Sequence, residues 1–214
     1  MVGKLPRVSA SGLSRSMVIG ASYSMSLYCY SVLRLDPYRG CGHRCAYCFV
    51  NFIPGYRGRV VPVGGFLRPF DRVVSGLRRT PVVSMPFRLS ALTDPFQPVE
   101  EKAKVSLGVL RLALERDLKI IVSTKSCLVA REPWLSVVKS LADRGGVVVQ
   151  FTLISLDEEL SRCLEPGAPS PSERLRAIER LSDEGVPVVI RLQPLIPYVN
   201  DNPDGLERLL EEVA

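Results

Sequence analysis

The chain has 214 residues, a length that fits one domain with at most a short extension, and its 46% apolar and 23% charged residues exclude a mostly disordered protein. No apolar run approaches the ~18–20 residues that a bilayer crossing needs. The opening Met1-Val2-Gly3-Lys4-Leu5-Pro6-Arg7 lacks the apolar stretch of a secretory signal, so a cytoplasmic protein is expected, with no membrane partner. The net charge of +6 is scattered rather than blocked, which permits an anionic or nucleic-acid partner without requiring one.

In chain order, residues 1–30 read as an N-terminal extension, in which Tyr23, Tyr28 and Tyr30 serve packing or stack on a base. Residues 31–214 read as the core domain. A first strand is predicted over 31–36, and a cysteine-rich loop follows it. A second strand lies within 81–92 and runs into Thr93-Asp94. Gln97-Pro98 opens a helix with Glu100 and Glu101 in its first turn, where the helix dipole favours acids. Ala103, Leu107, Leu110 and Leu114 fall on its apolar face. A third strand over 118–123 ends at Thr124-Lys125-Ser126, and Trp134, Val137, Val138 and Leu141 mark the next helix. A fourth strand over 147–154 carries Thr152, with Ser155 just beyond it. Ser170-Pro171-Ser172-Glu173 is a capping box that starts a helix with Leu175, Ile178 and Leu181 inward. A fifth strand over 186–192 leads to Asn200-Asp201, and Asn202-Pro203 begins a last helix.

Strands alternating with helices predict a parallel α/β sheet or barrel, and continuous apolar strands predict burial on both faces. Polar clusters follow every strand, the end at which active sites of such folds collect.

The six cysteines are Cys29, Cys41, Cys45, Cys48, Cys127 and Cys163. A chain of this length needs no disulfide staples. Three of the six fall in eight residues, as C-x3-C-x2-C, which points to metal chemistry in a reducing compartment. Three thiolates can ligate three irons of a [4Fe–4S] cubane and leave the fourth iron open. A zinc knuckle of Cys41, Cys45, Cys48 and His43 suits the spacing less well, because zinc knuckles usually bring paired ligand sets.

The spacing, with Tyr47 before the last cysteine, resembles the radical S-adenosylmethionine (radical SAM) superfamily. Further motifs extend the resemblance to its spore photoproduct lyase-like branch: Asp36-Pro37-Tyr38-Arg39-Gly40-Cys41, Thr93-Asp94-Pro95-Phe96, Thr124-Lys125-Ser126, Leu164-Glu165-Pro166-Gly167 and Pro194-Leu195-Ile196-Pro197 with Asn200-Asp201.

The resemblance implies a partial (βα) barrel of five to six parallel strands. Five strands are counted where the family usually has six, so the barrel is either more open or continues C-terminally outside this chain. It also implies an enzyme that cleaves S-adenosylmethionine reductively to a 5′-deoxyadenosyl radical, with a flavodoxin- or ferredoxin-type electron donor. Cys41, Cys45 and Cys48 match the cluster ligands. Thr93 and Asp94 match the residues that hold the cofactor's amino group, although Asp94 before Pro95 is equally suited to an Asx turn. Lys125 and Thr152 match contacts to its carboxylate, Tyr47 matches an aromatic near its adenine, and Arg174 matches a helix-start arginine. For Lys125 and Arg174 the ordinary alternative is a solvated cation. His43 reads as a loop residue, and Glu100 and Glu173 as helix-start acids. The stretch Arg88-Leu89-Ser90-Ala91-Leu92 has no cysteine where spore photoproduct lyase has its hydrogen donor, so the substrate stays open. The competing classes are a zinc-dependent nucleic-acid-binding module without catalysis and an iron–sulfur electron carrier.

Overall fold

A computed structural model describes residues 19–21, 33–53, 59–78, 80 and 84–214. Tyr23, Tyr28, Tyr30 and Cys29 lie outside the described residues. The elements are β1 (Ile19–Ala21), β2 (Leu33–Leu35), β3 (Tyr38–Arg39), β4 (Val61–Pro62), α1 (Leu67–Leu77), β5 (Phe87–Leu89), α2 (Glu100–Ala103), α3 (Val105–Arg116), β6 (Ile120–Thr124), α4 (Trp134–Ala142), β7 (Val147–Thr152), α5 (Glu158–Leu164), α6 (Pro171–Asp183), β8 (Val188–Arg191) and α7 (Pro203–Val213).

The main sheet has the order β1-β2-β5-β6-β7-β8. Strands β2, β5, β6, β7 and β8 run parallel, and β1 joins the edge antiparallel to β2. The five parallel strands fall in the five predicted segments, with β6 running one residue further, to Thr124. This is the expected α/β architecture of a partial barrel. The sequence pattern does not place β1, the small two-stranded β3–β4 sheet, helix α1 or helix α5.

Leu35, Leu89, Val122, Val149 and Val188 are aligned across the sheet by its register. They lie on the face covered by helices, with Val74, Leu110, Val138 and Leu181 buried in the same core. The strands therefore have one helix-packed apolar face, and their opposite face mixes Ile121, Val148 and Val189 with Arg34, Arg88, Ser123, Gln150 and Arg191. The expectation of strands apolar on both sides holds for buried Ile121 on the second face and is corrected where Arg34, Arg88, Ser123, Gln150 and Arg191 stand.

The helix expected after Gln97-Pro98 is split. Lys104 takes φ +51° and separates α2 from α3. Glu100, read from the sequence as a helix-start acid, is fully buried and caps the second helix instead. Its Oε2 accepts from Ser106 N (3.0 Å) and the Tyr38 hydroxyl, and its Oε1 accepts from Leu107 N (2.9 Å) and Trp134 Nε1 (2.8 Å). One carboxylate thus satisfies two otherwise unpaired N–H groups of α3 and ties the helix to β3 and to α4. The Ser170–Glu173 capping box forms as expected.

Candidate cofactor site at the strand ends

The cysteine loop leaves β3 through Gly40, whose φ is +75°. A Cβ there would stand 3.2 Å from Arg59 O and 3.3 Å from Val60 Cα, so the incoming β4 segment leaves room only for glycine. The loop is then held by residues from two other segments, 94–97 after β5 and 164–167 after α5. Buried Gln97 accepts from Gly42 N through Oε1 (2.8 Å) and donates Nε2 to Gly40 O (3.2 Å). Ala46 N donates to Leu164 O (2.8 Å), and Gly167 N donates to His43 O (2.9 Å). A Cβ on Gly167 would lie 2.2 Å from Gly42 O, so the two backbones touch at this point.

His43 is buried and spans both segments. Its Nδ1 lies 2.9 Å from Gly167 O and its Nε2 lies 3.1 Å from Asp94 Oδ2. Burial works against the imidazolium, but Asp94 and the Gly167 carbonyl outweigh it and hold the imidazole above its ordinary value. Asp94 is held below the carboxylate range: burial opposes this, and His43 and backbone donors prevail.

Asp94 is a hub. Its Oδ1 accepts from Phe96 N (2.9 Å), the predicted Asx turn, and from Thr124 Oγ1 (2.8 Å). Its Oδ2 accepts from Lys125 N at 2.7 Å. The ends of β5 and β6 and the cysteine loop therefore meet at one carboxylate. Thr93, buried beside it, pairs its hydroxyl with Ser90 Oγ at 2.9 Å.

A second cluster centres on Glu165. The Tyr47 hydroxyl donates to its Oε1, Lys125 Nζ lies 3.7 Å from the same oxygen, and Arg174 Nη1 lies 2.5 Å from Oε2. The Lys125 ammonium also stands 5.7 Å from the Tyr47 ring centroid. Burial, then the Glu165 charge, pushes the Tyr47 hydroxyl far above its ordinary value. Arg174 is fully buried, donates Nε to Pro169 O (2.7 Å) and Nη1 to Thr152 O (3.2 Å), and leaves Nη2 unpartnered. A solvated Arg174 is thereby ruled out, and Lys125 is mostly buried at 17% side-chain exposure. Tyr47, Lys125, Arg174 and the Thr152 backbone are thus gathered around one carboxylate, and Thr93 and Asp94 flank the same loop.

Glu165, Gln97, His43 and Gly167 were not singled out as functional in the sequence. Glu165 belongs to the Leu164-Glu165-Pro166-Gly167 motif, but no local signal marks its burial.

The donor set of the loop suits a cluster better than zinc. Both His43 ring nitrogens face protein groups, so His43 does not complete a zinc knuckle. Among the described residues, no three His, Cys, Asp or Glu side chains converge as a single metal ion requires. A cubane instead spreads three thiolates over three irons. Burial, then Asp94, pushes the Cys41 thiol up to about 12. Cys45 is also raised by burial, with Lys125 pulling it back. Metal binding here would release protons.

Residues 35–211 match the radical SAM superfamily. The chain belongs to the radical SAM superfamily. It is 29% identical over 192 residues to an uncharacterized protein of Mycobacterium tuberculosis strain H37Rv, covering 84% of this chain and 54% of that one. It is 28% identical over 201 residues to the radical SAM Nalpha-GlyT isomerase of Pseudomonas phage M6, covering 87% of this chain and 38% of that protein. Its fold resembles a mutant spore photoproduct lyase with bound AdoMet and dinucleoside spore photoproduct. The TM-score is 0.69 at 18% identity, over 94% of this chain and 55% of that one. The chain spans about half the length of the first of these relatives. Radical SAM membership implies a [4Fe–4S] cluster and S-adenosylmethionine, and enzymes of this superfamily generally need a reductant. Among the described residues, no helix is long and apolar enough to cross a membrane.

Proposed function

We propose that this chain is the catalytic core of a radical SAM enzyme and that Cys41, Cys45 and Cys48 hold its [4Fe–4S] cluster. When bound, the reduced cluster and S-adenosylmethionine supply an electron and a cleavable sulfonium, giving a 5′-deoxyadenosyl radical that abstracts hydrogen from substrate. The observation that carries this reading is the placement of the cysteine loop. It is clamped between Asp94 after β5 and Glu165-Pro166-Gly167 after α5, with Lys125 beside it.

The chain's own residues then have distinct tasks. Thr93 offers a hydroxyl to an ammonium group, and Lys125 and Thr152 face a carboxylate. Tyr47 borders the adenine. Arg174 has a buried, unpartnered Nη2 and completes the cofactor contacts. Asp94 is a cofactor contact and also a positioning residue, because its oxygens hold the loop. Residues 31–214 form the core, and the preceding extension lends β1 to its edge.

An electron donor of the flavodoxin or ferredoxin type and a cytoplasmic setting fit this chemistry. The chemistry is lyase-like or another radical-mediated modification. The +6 charge, and the dinucleoside in the spore photoproduct lyase structure, support a nucleic-acid or other anionic substrate.

Lys125→Ala tests the assignment, because its side chain holds none of the backbone bonds of the loop. Loss of one charge-assisted bond, about 1.5–3 kcal/mol, should weaken S-adenosylmethionine binding roughly tenfold to a hundredfold with iron content unchanged. Calorimetric affinity equal to the parent protein would refute it.

A further inference from the structure

The stretch from Pro37 to Phe70 runs through the cysteine loop and holds five arginines, with no Asp, Glu or Lys. Arg39, Arg44 and Arg59 are exposed. None of the three forms an ion pair among the described residues, and residues 1–18, 22–32, 54–58, 79 and 81–83 contain no Asp or Glu that could supply one. The same stretch exposes large apolar side chains: Phe49 is 58% and Phe52 82% exposed. The two stand three residues apart in the short 3₁₀ turn Phe49–Phe52, where positions i and i+3 eclipse, so both rings leave one side while Val50 between them is buried.

These residues surround the cysteines. Arg39 and Val61 are register partners, and Arg59 O and Val60 lie against Gly40, so the β3–β4 sheet brings Arg39 and Arg59 beside the start of the loop. Arg44 lies between Cys41 and Cys45 at φ +51°. A loop that needed only this turn would place Gly or Asn there. Phe49 follows Cys48 directly, and Cys41 and Cys48 are themselves partly exposed. Asp94, Gln97, Glu165 and Gly167 occupy the loop's inner side, through His43, Gly42 and Tyr47. Two copies of a patch with one sign of charge repel each other, and residues 1–18 add Lys4, Arg7 and Arg15, so neither a second copy nor that segment complements it. Arginine and aromatic residues without lysine are the composition of a protein interface, whereas nucleic-acid phosphates are met by lysine and arginine alike.

We infer that Arg39, Arg44, Arg59, Phe49 and Phe52 form the docking face for an acidic flavoprotein that carries electrons to the cysteine loop. Carboxylates of the carrier meet the guanidiniums and the two rings supply apolar contact, as in small, transient electron-transfer encounters. One electron passes from the carrier's flavin, which is oxidised from anionic hydroquinone to neutral semiquinone with no proton released, to the [4Fe–4S] cluster, which is reduced by one electron. The inference rests on Cys41, Cys45 and Cys48 holding that cluster, because the patch is built around those three residues.

The test uses the whole chain and an acidic flavodoxin as the probe. The iron-free chain is titrated into isotope-labelled flavodoxin at low ionic strength, where resonances of flavodoxin's acidic face should shift and the shifts should fade as salt rises. Arg59→Glu and Phe52→Ser should each weaken this binding by about tenfold or more, and Arg180→Glu, at the exposed end of α6, should not. In the iron-reconstituted chain, bleaching of the cluster absorbance by flavodoxin hydroquinone should slow by a similar factor in the first two variants. Reduction by photoreduced deazaflavin, a small molecule that needs no docking face, should keep the parent rate. Arg59→Glu keeps the test valid if Phe52→Ser fails to fold. No flavodoxin binding by the parent chain, or parental binding and reduction in folded Arg59→Glu, overturns the inference. So does binding of a single-stranded oligonucleotide, or self-association, that both variants abolish while flavodoxin binding persists. Flavodoxin binding without iron uptake would refute the cluster reading alone. Iron and cofactor binding without flavodoxin binding would refute this inference alone.

Discussion

His43 Nε2 lies 3.1 Å from Asp94 Oδ2, and this buried pair fastens the cysteine loop to the end of β5. The same carboxylate takes the Thr124 hydroxyl and the Lys125 N–H, so the loop, β5 and β6 share one anchor. A buried pair that loses one partner leaves an uncompensated charge, at about 3–5 kcal/mol. Asp94→Asn keeps one acceptor oxygen, so we expect the lower end, about 3 kcal/mol, in the iron-free protein. At roughly 2–4 °C per kcal/mol for a chain of this size, the melting temperature should fall by roughly 6–12 °C. An unchanged melting temperature would show that the pair does not anchor the loop.

Gly167 should be just as sensitive for a steric reason. Its absent Cβ is what lets Gly42 O approach, and any side chain there meets backbone rather than a movable group. Gly167→Ala should destabilise the protein by about 1–3 kcal/mol and slow iron uptake on reconstitution. Gly64→Ala, where a Cβ meets nothing within 4 Å, is the control. Equal stability and iron uptake in both variants would contradict the described seating of the loop.

The five parallel strands were legible because each is a short apolar run with a polar terminus, as in Ile120–Thr124. The cysteine spacing and the strand-end residues Thr93, Asp94, Lys125 and Thr152 were legible for the same reason: chemistry concentrates where strands stop. Glu165 and Gln97 were not. Their roles come from partners 118 and 55 residues away, Tyr47 and Gly42, and a local window carries no trace of such contacts. The break at Lys104 was hidden because a left-handed lysine has no sequence signature, and the buried cap supplied by Glu100 is visible only once Tyr38 and Trp134 are brought beside it.

Cys127 offers a pH test away from the proposed cluster ligands. Burial, then the nearby Glu173, pushes its thiol up to about 11, and Arg174 and Arg176 pull it back only in part. The thiolate is the reactive form, so at pH 8 roughly one molecule in a thousand is reactive at this site. Alkylation of Cys127 by iodoacetamide, followed by peptide mapping, should accelerate about tenfold per pH unit from 8 to 10 and level off near 11. A plateau below pH 9 would show that the site does not hold the thiol protonated.

The central claim is that Cys41, Cys45 and Cys48 hold a cluster with an open iron, next to strand ends built for an amino-acid head group. Its most direct test is anaerobic reconstitution, reduction with dithionite and quantification of 5′-deoxyadenosine at high S-adenosylmethionine concentration. Replacing any one of the three cysteines by alanine should remove most bound iron, whereas Cys127→Ala and Cys163→Ala should retain it. The parent chain should form 5′-deoxyadenosine and methionine slowly even without substrate, above the level of the variant in which all three cysteines are alanine. An intact, reduced [4Fe–4S] cluster, verified spectroscopically, with no 5′-deoxyadenosine above that background would contradict the account.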